Sequence, residues 1–216
     1  MTAAVQTFLV PPKPNTGRDP LDRYYTPDVV AYAIVRTMLR ESDSPRGLRW
    51  LEPSAGGGAF CRAIRELDCA ANITAVDCDE KAAVWQCEKS RPDTQVVGSF
   101  LHTGYADRFD VVVGNPPYRD AEAHIRHALR ASRRHVVFLL RQSILGSIQR
   151  GPLWVDHPPR ALWTLVPRPS FTGGGTDPAE YSVIWWDRLR TDRQWTRLVW
   201  NCGDPGIDQP MFGDIA

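Results

Sequence analysis

The most specific chemical signal in the sequence is the tetrad Asn115-Pro116-Pro117-Tyr118, which directly follows an apolar, β-branched run. Consecutive prolines restrict two backbone angles and remove two N–H donors, so carbonyl groups in this turn are available as hydrogen-bond acceptors. An exocyclic amino group offers two hydrogens, one for the side-chain oxygen of Asn115 and one for the Pro116 carbonyl. The Tyr118 ring can stack on a planar base. The tetrad therefore predicts a site that binds a planar amino group, with a plain strand-end turn as the alternative.

A second signal is the loop Glu52-Pro53-Ser54-Ala55-Gly56-Gly57-Gly58, which lies between a short strand and a helix. Glycines let the backbone approach a ligand closely, and the helix contributes the positive end of its dipole. The loop lacks the Gly-Lys-Ser/Thr of a Walker motif, and Cys61 stands where the last glycine of Gly-x-Gly-x-x-Gly would fall. Asp77 ends the next strand, where a carboxylate can accept hydrogen bonds from ribose hydroxyls. Together these features predict a nucleoside-containing ligand, although the glycine loop alone is equally typical of a strand–helix turn.

These motifs carry a family resemblance. The glycine loop resembles the first motif of class I S-adenosylmethionine-dependent methyltransferases, and Tyr24-Tyr25-Thr26-Pro27 resembles the upstream motif of the members that methylate amino groups in DNA. The tetrad is similar to the Asn/Asp-Pro-Pro-Tyr/Phe motif of enzymes that act on adenine in DNA, on guanine in RNA or on protein glutamine. Across residues 24–186 the chain looks like a small, phage-type DNA adenine-N(6) methyltransferase.

The resemblance implies S-adenosyl-L-methionine as the cofactor and adenine in DNA, flipped out of the duplex, as the substrate. The in-line transfer that it implies needs alignment and electrostatics and no metal. Catalysis is assigned to the tetrad Asn115, Pro116, Pro117 and Tyr118. The residues implied to bind the cofactor are Tyr25, Thr26, Pro27, Glu52, Ser54, Ala55, Gly56, Gly58, Asp77, Cys78, Ser99, Phe100 and Asn115.

One position departs from the family pattern. In these families the third strand commonly ends in an acidic residue followed by an aromatic one, and here that place reads Gly98-Ser99-Phe100. The Ser99 hydroxyl can accept a hydrogen bond from the cofactor adenine but carries no charge, so we expect modestly weaker cofactor binding. Phe100 can still pack on the adenine ring.

Positive charge is concentrated after the tetrad. Residues 119–168 contain nine basic and three acidic residues, whereas the whole chain has a net charge of +1. Such side chains contact nucleic-acid phosphates, which makes DNA, most simply double-stranded, the expected partner; solvation of helices is the alternative for about half of them. The segment Arg168 to Gly175 resembles a substrate-side loop of small phage-type enzymes, and core packing is an equally open role for its Phe171. The candidate substrate-binding residues are Tyr118, Arg119, Arg141, Arg168 and Phe171.

Alternating strands and helices must position these motifs. The pattern predicts an α/β fold, a doubly wound and mainly parallel seven-stranded sheet of the Rossmann-like methyltransferase type that ends in an antiparallel hairpin. The predicted strands are Leu48–Glu52, Asn72–Asp77, Gln95–Gly98, Phe109–Gly114, His135–Leu140, Ala161–Val166 and Tyr181–Trp186. The predicted helices are Asp28–Leu39, Ala59–Leu67, Glu80–Lys89 and Ala121–Ala131.

The domain organisation follows from these elements. Residues 1–23, rich in proline near their start, are expected to form a flexible N-terminal arm. Residues 24–190 are expected to form the methyltransferase catalytic domain, with a short target-recognition insertion near 143–160. Residues 191–216 are expected to form a C-terminal tail.

Composition narrows the class of protein further. Of the 216 residues 43% are hydrophobic and 24% are charged, which is typical of a folded globular chain. With no apolar run of membrane-spanning length and no leader pattern, we expect a cytoplasmic protein. Five cysteines without a Cys-x-x-Cys pair predict buried thiols, and the five histidines are expected at the surface or at a partner.

Other functions remain open to the same residues. An RNA or protein-glutamine methyltransferase would use the same tetrad, and a nucleic-acid-binding module whose cofactor site has decayed is compatible with Ser99. The upstream Tyr-Thr-Pro favours DNA. The biological setting expected for a DNA enzyme of this size is a phage, a mobile element or a restriction-modification system.

Overall fold

The structure, a computed structural model, describes residues 25–171, 179–190 and 196–201, the last as backbone alone. Its helices are α1 (Asp28–Glu41), α2 (Ala59–Leu67), α3 (Ala121–Ala131) and α4 (Gly151–Asp156). Its strands are β1 (Arg49–Glu52), β2 (Asn72–Asp77), β3 (Thr94–Val97), β4 (Phe109–Gly114), β5 (Ser132–Arg141), β6 (Ala161–Val166), β7 (Tyr181–Asp187) and β8 (Thr196–Asn201). The predicted arm, residues 1–23, lies outside the described residues.

All the described strands join one sheet in the order β3-β2-β1-β4-β5-β7-β6-β8. Strands β1 to β5 are parallel to one another, while β7 pairs antiparallel with both β5 and β6. The predicted doubly wound sheet with its closing antiparallel hairpin is thus confirmed over β1 to β7. An eighth strand, β8, pairs parallel with β6 within the segment expected to be a tail.

Alternate side chains of the central strands fill two separate cores, one on each face of the sheet. In β4, Val111 and Val113 pack with α1 and α2, whereas Val112 packs with α3. Strand β1 divides in the same way, because Trp50 joins the first core and Leu51 the second. The period of two along a strand therefore determines which helix layer each residue contacts.

One predicted helix does not form. The segment expected as a helix over Glu80–Lys89 contains only two 3₁₀ turns, Ala83–Trp85 and Glu88–Ser90. The Val84 amide donates to the Gly56 carbonyl at 3.0 Å instead of to the preceding turn of its own segment. Contact with the glycine loop thus competes with the helical hydrogen-bond ladder, so the prediction was wrong for a tertiary reason.

Burial corrects two further expectations. Cys61 is buried as predicted, but Cys69 and Cys78 are exposed. The histidines expected at the surface include three that are buried, namely His124, His127 and His135. Among the described residues, no helix is long and apolar enough to cross a bilayer.

Candidate active site

The carboxyl ends of β1 to β4 open into a cavity of about 200 Å³. This is the edge at which ligands bind in open α/β sheets. The cavity is lined by Tyr25, Pro53, Ser54, Gly56, Asp77, Cys78, Gly98, Ser99, Phe100, Leu101, Asn115, Pro117, Arg119, Asp120 and His124. A narrow neighbouring cavity adds Thr26, Glu52, Ala55 and Phe60. The structure therefore brings together residues predicted from four separate stretches of the sequence.

The glycine loop is held against the end of β2 by Asp77. The Gly56 amide donates to Asp77 Oδ2 at 2.7 Å, and the Asp79 amide donates to Asp77 Oδ1 at 2.8 Å. Each carboxylate oxygen can accept more than one hydrogen bond, so these contacts leave capacity for ribose hydroxyls. Asp77 thus shapes the loop as well as lining the cavity, a role that its spacing did not predict.

Glu52 is a buried carboxylate at the floor of the site, with 1% of its surface exposed. Burial raises its pKa well above the usual range, the Ser54 amide that donates to Oε1 at 3.2 Å lowers it in part, and the Asp77 charge raises it further. A buried acid of this kind is stabilised in its charged form by a nearby cation. The floor of the cavity is therefore suited to a positively charged group.

Gly114 is a part of the site that the sequence reasoning missed. A Cβ atom built on Gly114 overlaps the Glu52 carboxylate, so any side chain there would displace it. The signal was present, since this glycine ends an otherwise β-branched strand next to the tetrad. A glycine in such a strand often marks a close approach of another group.

The upstream motif reaches both the glycine loop and the tetrad. The Tyr25 ring lies against Gly56 and Gly57, close enough that a Cβ on Gly57 would be 3.2 Å from Tyr25 Cδ1. Asn115 Nδ2 and Thr26 Oγ1 are hydrogen-bonded at 3.1 Å across 89 positions of sequence. Pro27 is the N-cap residue of α1 and accepts the Val30 amide at 3.0 Å.

Arg62 links the start of α1 to the glycine loop, and the sequence analysis did not single it out. Its guanidinium donates to the Asp28 carboxylate at 2.6 Å and to the Gly57 carbonyl at 2.7 Å. Arg62 lies on α2 and Asp28 opens α1, so the pair fixes the start of α1 against the glycine loop. Spacing along the chain carries no signal for a contact of this kind.

The Tyr118 ring is part of an aromatic cluster beside the tetrad. The Arg141 guanidinium lies 4.7 Å from its centroid, and the Tyr181 ring lies 5.8 Å away. Phe171 is buried and packs on Tyr181 at 4.6 Å, which favours its core-packing role. Among the described residues, Arg141 and Tyr181 therefore both contact the Tyr118 ring.

The Ser99 end of the cavity is lined by α3 and the turn before it. Phe100 is buried, with its ring 5.8 Å from that of His124 and 4.5 Å from that of His127. His124 Nδ1 donates to the Asp120 carbonyl at 3.0 Å, and burial lowers the pKa of this histidine. Asp120 and His124 thus join the site although the sequence did not single them out.

The direction of the strands places arginines of residues 119–168 at two opposite edges of the sheet. β5 and β6 point the same way, so Arg141 and Arg168 lie at their carboxyl ends, on the side of the cavity. Arg133 and Arg134 lie near the start of β5, and Arg160 immediately precedes β6, at the opposite edge. Only part of the predicted basic surface can therefore serve this site.

Comparisons with known proteins agree with this geometry at the level of fold. A protein of Listeria monocytogenes assigned to class I S-adenosylmethionine-dependent methyltransferases superposes with a TM-score of 0.68 at 17% identity, over 87% of this chain and 69% of its own. The type I restriction-modification methyltransferase subunit of Streptococcus thermophilus gives a TM-score of 0.69 at 15% identity, over 82% of this chain and 47% of its own. The chain therefore has the class I S-adenosylmethionine-dependent methyltransferase fold.

A closer sequence relative is the type II methyltransferase M.TthHB8I of Thermus thermophilus, 32% identical over 132 residues. The match covers 57% of this chain, but the chain spans only 28% of the length of that relative. No family model matches the chain.

S-adenosylmethionine is the cofactor of this fold, and the magnesium protoporphyrin IX methyltransferase of Synechocystis was solved with it bound (TM-score 0.51, 14% identity, 74% of this chain and 79% of its own). The residues at the cavity fit this cofactor. Glu52 provides a buried carboxylate for a cationic group, and Asp77 provides a carboxylate at the strand end for ribose hydroxyls. Gly56 and Gly57 keep the loop free of side chains where Tyr25 covers it.

Proposed function

We propose that this chain transfers a methyl group from S-adenosylmethionine to the exocyclic amino group of adenine in DNA. The observation that carries the proposal is the position of Asn115: it lines the cofactor cavity, and its Nδ2 is hydrogen-bonded to Thr26 Oγ1 at 3.1 Å. With Nδ2 bound to Thr26, the acceptor Oδ1 is the branch of the amide that we propose binds the substrate. The resemblance of the tetrad to the amino-methylating motif supports adenine.

The chain's own residues would act by holding and polarising the amino group. Two acceptors, Asn115 Oδ1 and the Pro116 carbonyl, would take its two hydrogens and draw them out of the plane of the base. The nitrogen lone pair, otherwise delocalised into the ring, then becomes available for attack. When bound, the cofactor supplies a methyl carbon activated by a positive sulfur. The prolines keep both acceptors in place, so little reorganisation is needed during the reaction.

The substrate base must leave the duplex to reach this cavity, at a cost of a few kcal/mol that contacts with the DNA backbone would offset. Arg119, with 70% of its side chain exposed, and Arg141 and Arg168 are the proposed contacts at this edge. The similarity to a type II methyltransferase makes a restriction-modification system the proposed setting. A solitary phage-type enzyme would use the same chemistry.

A labelling experiment tests the substrate. The purified chain is incubated with methyl-labelled cofactor and, in parallel, with unmodified genomic DNA and with RNA, and each product is digested to nucleosides. We expect label in N(6)-methyladenine from DNA alone. Label in RNA, or in a cytosine nucleoside, would contradict the proposal.

Two substitutions separate the roles of the site. Asn115→Ala should keep cofactor affinity in calorimetry with S-adenosylhomocysteine while turnover falls at least roughly a hundredfold, because an acceptor used in the transition state is lost. Asp77→Ala should weaken S-adenosylhomocysteine binding itself. Asp156→Ala, an exposed carboxylate on α4, is the control that should change neither. Full turnover in Asn115→Ala would reject its assigned role.

A further inference from the structure

Ile148 is almost fully exposed, which is unusual for a large apolar side chain. Its exposed fraction is 95%, the highest among the large hydrophobic residues that the structure describes; Val155, in the same segment, follows with 71%. An isolated exposed apolar residue needs no explanation by itself. Its surroundings are therefore what matters.

The segment that carries Ile148 is firmly packed. It runs from Gln142 to Asp156 and comprises two 3₁₀ turns and α4. Ile144 and Leu153 of this segment are buried in the core that packs around α3, and Trp154 stacks on Trp186 at 6.2 Å. Leu145 and Trp154 of this segment also pack against that core. Ile148 projects from a supported base, and its exposure does not result from a loose segment.

Both flanks of Ile148 are tethered beside the catalytic tetrad. On one side, Arg141 ends β5 with its guanidinium 4.7 Å from the centroid of the Tyr118 ring. On the other, Arg150 Nε lies 3.8 Å from the Glu122 carboxylate in the first turn of α3, which directly follows the tetrad. Ile148 lies two positions from Arg150, so it is within about 7 Å of it along the chain. The segment that carries Ile148 is thus attached on both sides to residues next to the tetrad.

The neighbourhood of Ile148 is basic. Arg150, two positions away, and Arg126 both reach Glu122, so one carboxylate is shared by two guanidinium groups. An excess of positive charge around one apolar tip suits a duplex, whose phosphates are anionic and whose base stack is apolar. A protein partner of the usual kind would instead need a wider apolar surface.

We propose that Ile148 is a wedge that enters the base stack of duplex DNA and fills the space left when the target adenine is extruded. Apolar side chains of this type separate base steps in other classes of DNA-binding protein. The proposal rests on the proposed function and adds to it the residue that would make extrusion favourable. The surrounding arginines would hold the phosphates on either side.

The test compares two duplexes that carry the recognition site, which is first identified by sequencing methylated DNA from cells that express the wild-type chain. In one duplex the target adenine is paired; in the other its partner base is replaced by an abasic site, so the adenine is already unpaired. Ile148→Ala is measured beside Leu189→Ala, a matched removal of an exposed apolar side chain at the opposite edge of the sheet. Melting temperature and S-adenosylhomocysteine affinity show that each variant is folded and binds the cofactor.

We expect Ile148→Ala to lower kcat/KM about tenfold on the paired duplex and less than about twofold on the abasic one, because an unpaired base costs less to extrude. Leu189→Ala should match the wild type on both duplexes. Equal rates for Ile148→Ala and the wild type on the paired duplex would overturn the wedge, as would an equal loss on both duplexes. So would a wild type that methylates adenine only in single strands. A wild type that methylates no adenine would instead reject the proposed function.

Discussion

Thr26 and Asn115 show how a single contact can set the direction of a side chain proposed to act in catalysis. An Asn side chain presents an acceptor and a donor that differ little in shape, so orientation must come from its partners. Here Thr26 Oγ1 accepts a hydrogen bond of 3.1 Å from Asn115 Nδ2. The threonine belongs to the upstream motif and reaches the tetrad only in the folded chain. Thr26 is therefore a positioning residue for the proposed reaction.

The first prediction concerns this contact. Thr26→Val keeps the shape of the side chain and removes the hydroxyl, so we expect kcat at saturating cofactor to fall roughly fivefold to tenfold, as expected for the loss of about 1 kcal/mol. Thr26→Ser retains the hydroxyl and should recover most of the rate. Single-turnover methylation measures both. An unchanged rate in Thr26→Val would show that the contact does not orient Asn115.

At the scale of elements, the glycine loop is shaped by the two short turns packed on it. Gly58 is in the left-handed region at φ +76°, and a Cβ there would be 2.6 Å from the Cβ of Ser90. Ser90 itself is fully buried and its hydroxyl donates to the Cys87 carbonyl at 3.1 Å. The residues expected to form a helix thus form a close-fitting cover for the loop.

The second prediction follows from this packing. Gly58→Ala should lower the free energy of unfolding by about 2–3 kcal/mol, since it combines left-handed strain with a steric overlap. Gly104→Ala is the control, because no atom lies within 4 Å of a Cβ at that position and its φ is not positive. Urea unfolding measures both variants. Adding Ser90→Gly to Gly58→Ala should restore part of the loss; equal stability of the two alanine variants would contradict the prediction.

At the scale of the whole molecule, a buried polar cluster joins β5, β7 and the end of α1 at the edge opposite the cavity. Asp187 accepts from Arg160 at 3.3 Å, and Arg160 also donates to the Glu41 carbonyl at 2.7 Å. His135 Nδ1 accepts from Trp185 Nε1 at 3.2 Å, so the proton of the neutral ring is on Nε2, 3.2 Å from Ser44 Oγ. With that tautomer His135 donates to Ser44 and cannot act as its base, so the cluster is structural.

The third prediction is a pH dependence of stability. Burial lowers the pKa of His135 to about 4, with Asp187 raising it and Arg134 and Arg160 lowering it. The unfolded chain takes up this proton near pH ~6.5, the folded chain only near pH 4, so the unfolded chain binds more protons between these values. The contribution of His135 to the free energy of unfolding should therefore fall as the pH is lowered through this window. Urea titrations at several pH values measure the slope.

His135→Gln provides the comparison. It removes one titrating group, so the slope between pH ~6.5 and ~4 should decrease by up to about 1.4 kcal/mol per pH unit. His124 and His127, whose pKa burial also lowers, contribute a slope of the same sign, and Glu41 and Glu52, whose pKa burial raises, contribute one of the opposite sign. These contributions are common to the variant and the wild type. Identical slopes for the variant and the wild type would show that His135 does not titrate in this window.

The sequence alone was sufficient for features that arise from local physics. Short apolar, β-branched runs predicted seven strands, and helical spacing predicted three of the four α-helices that the structure describes. Both patterns are properties of the chain itself. The tetrad and the glycine loop were recognisable for the same reason, since proline and glycine act on their own backbone angles. The extent of the predicted strand Asn72–Asp77 placed Asp77 at its carboxyl end.

Only the tertiary structure decided the contacts between distant segments. It paired Thr26 with Asn115 and placed the Glu52 carboxylate where any side chain at position 114 would overlap it. It also divided the arginines between two edges of the sheet. In place of the helix expected over Glu80–Lys89 it has two turns, one of which is hydrogen-bonded to Gly56. Each of these depends on which residues meet across the sheet, and free energies of packing and burial exceed the small local propensities when the two conflict. The candidate residues of the site were therefore readable from the sequence, while their geometry required the fold.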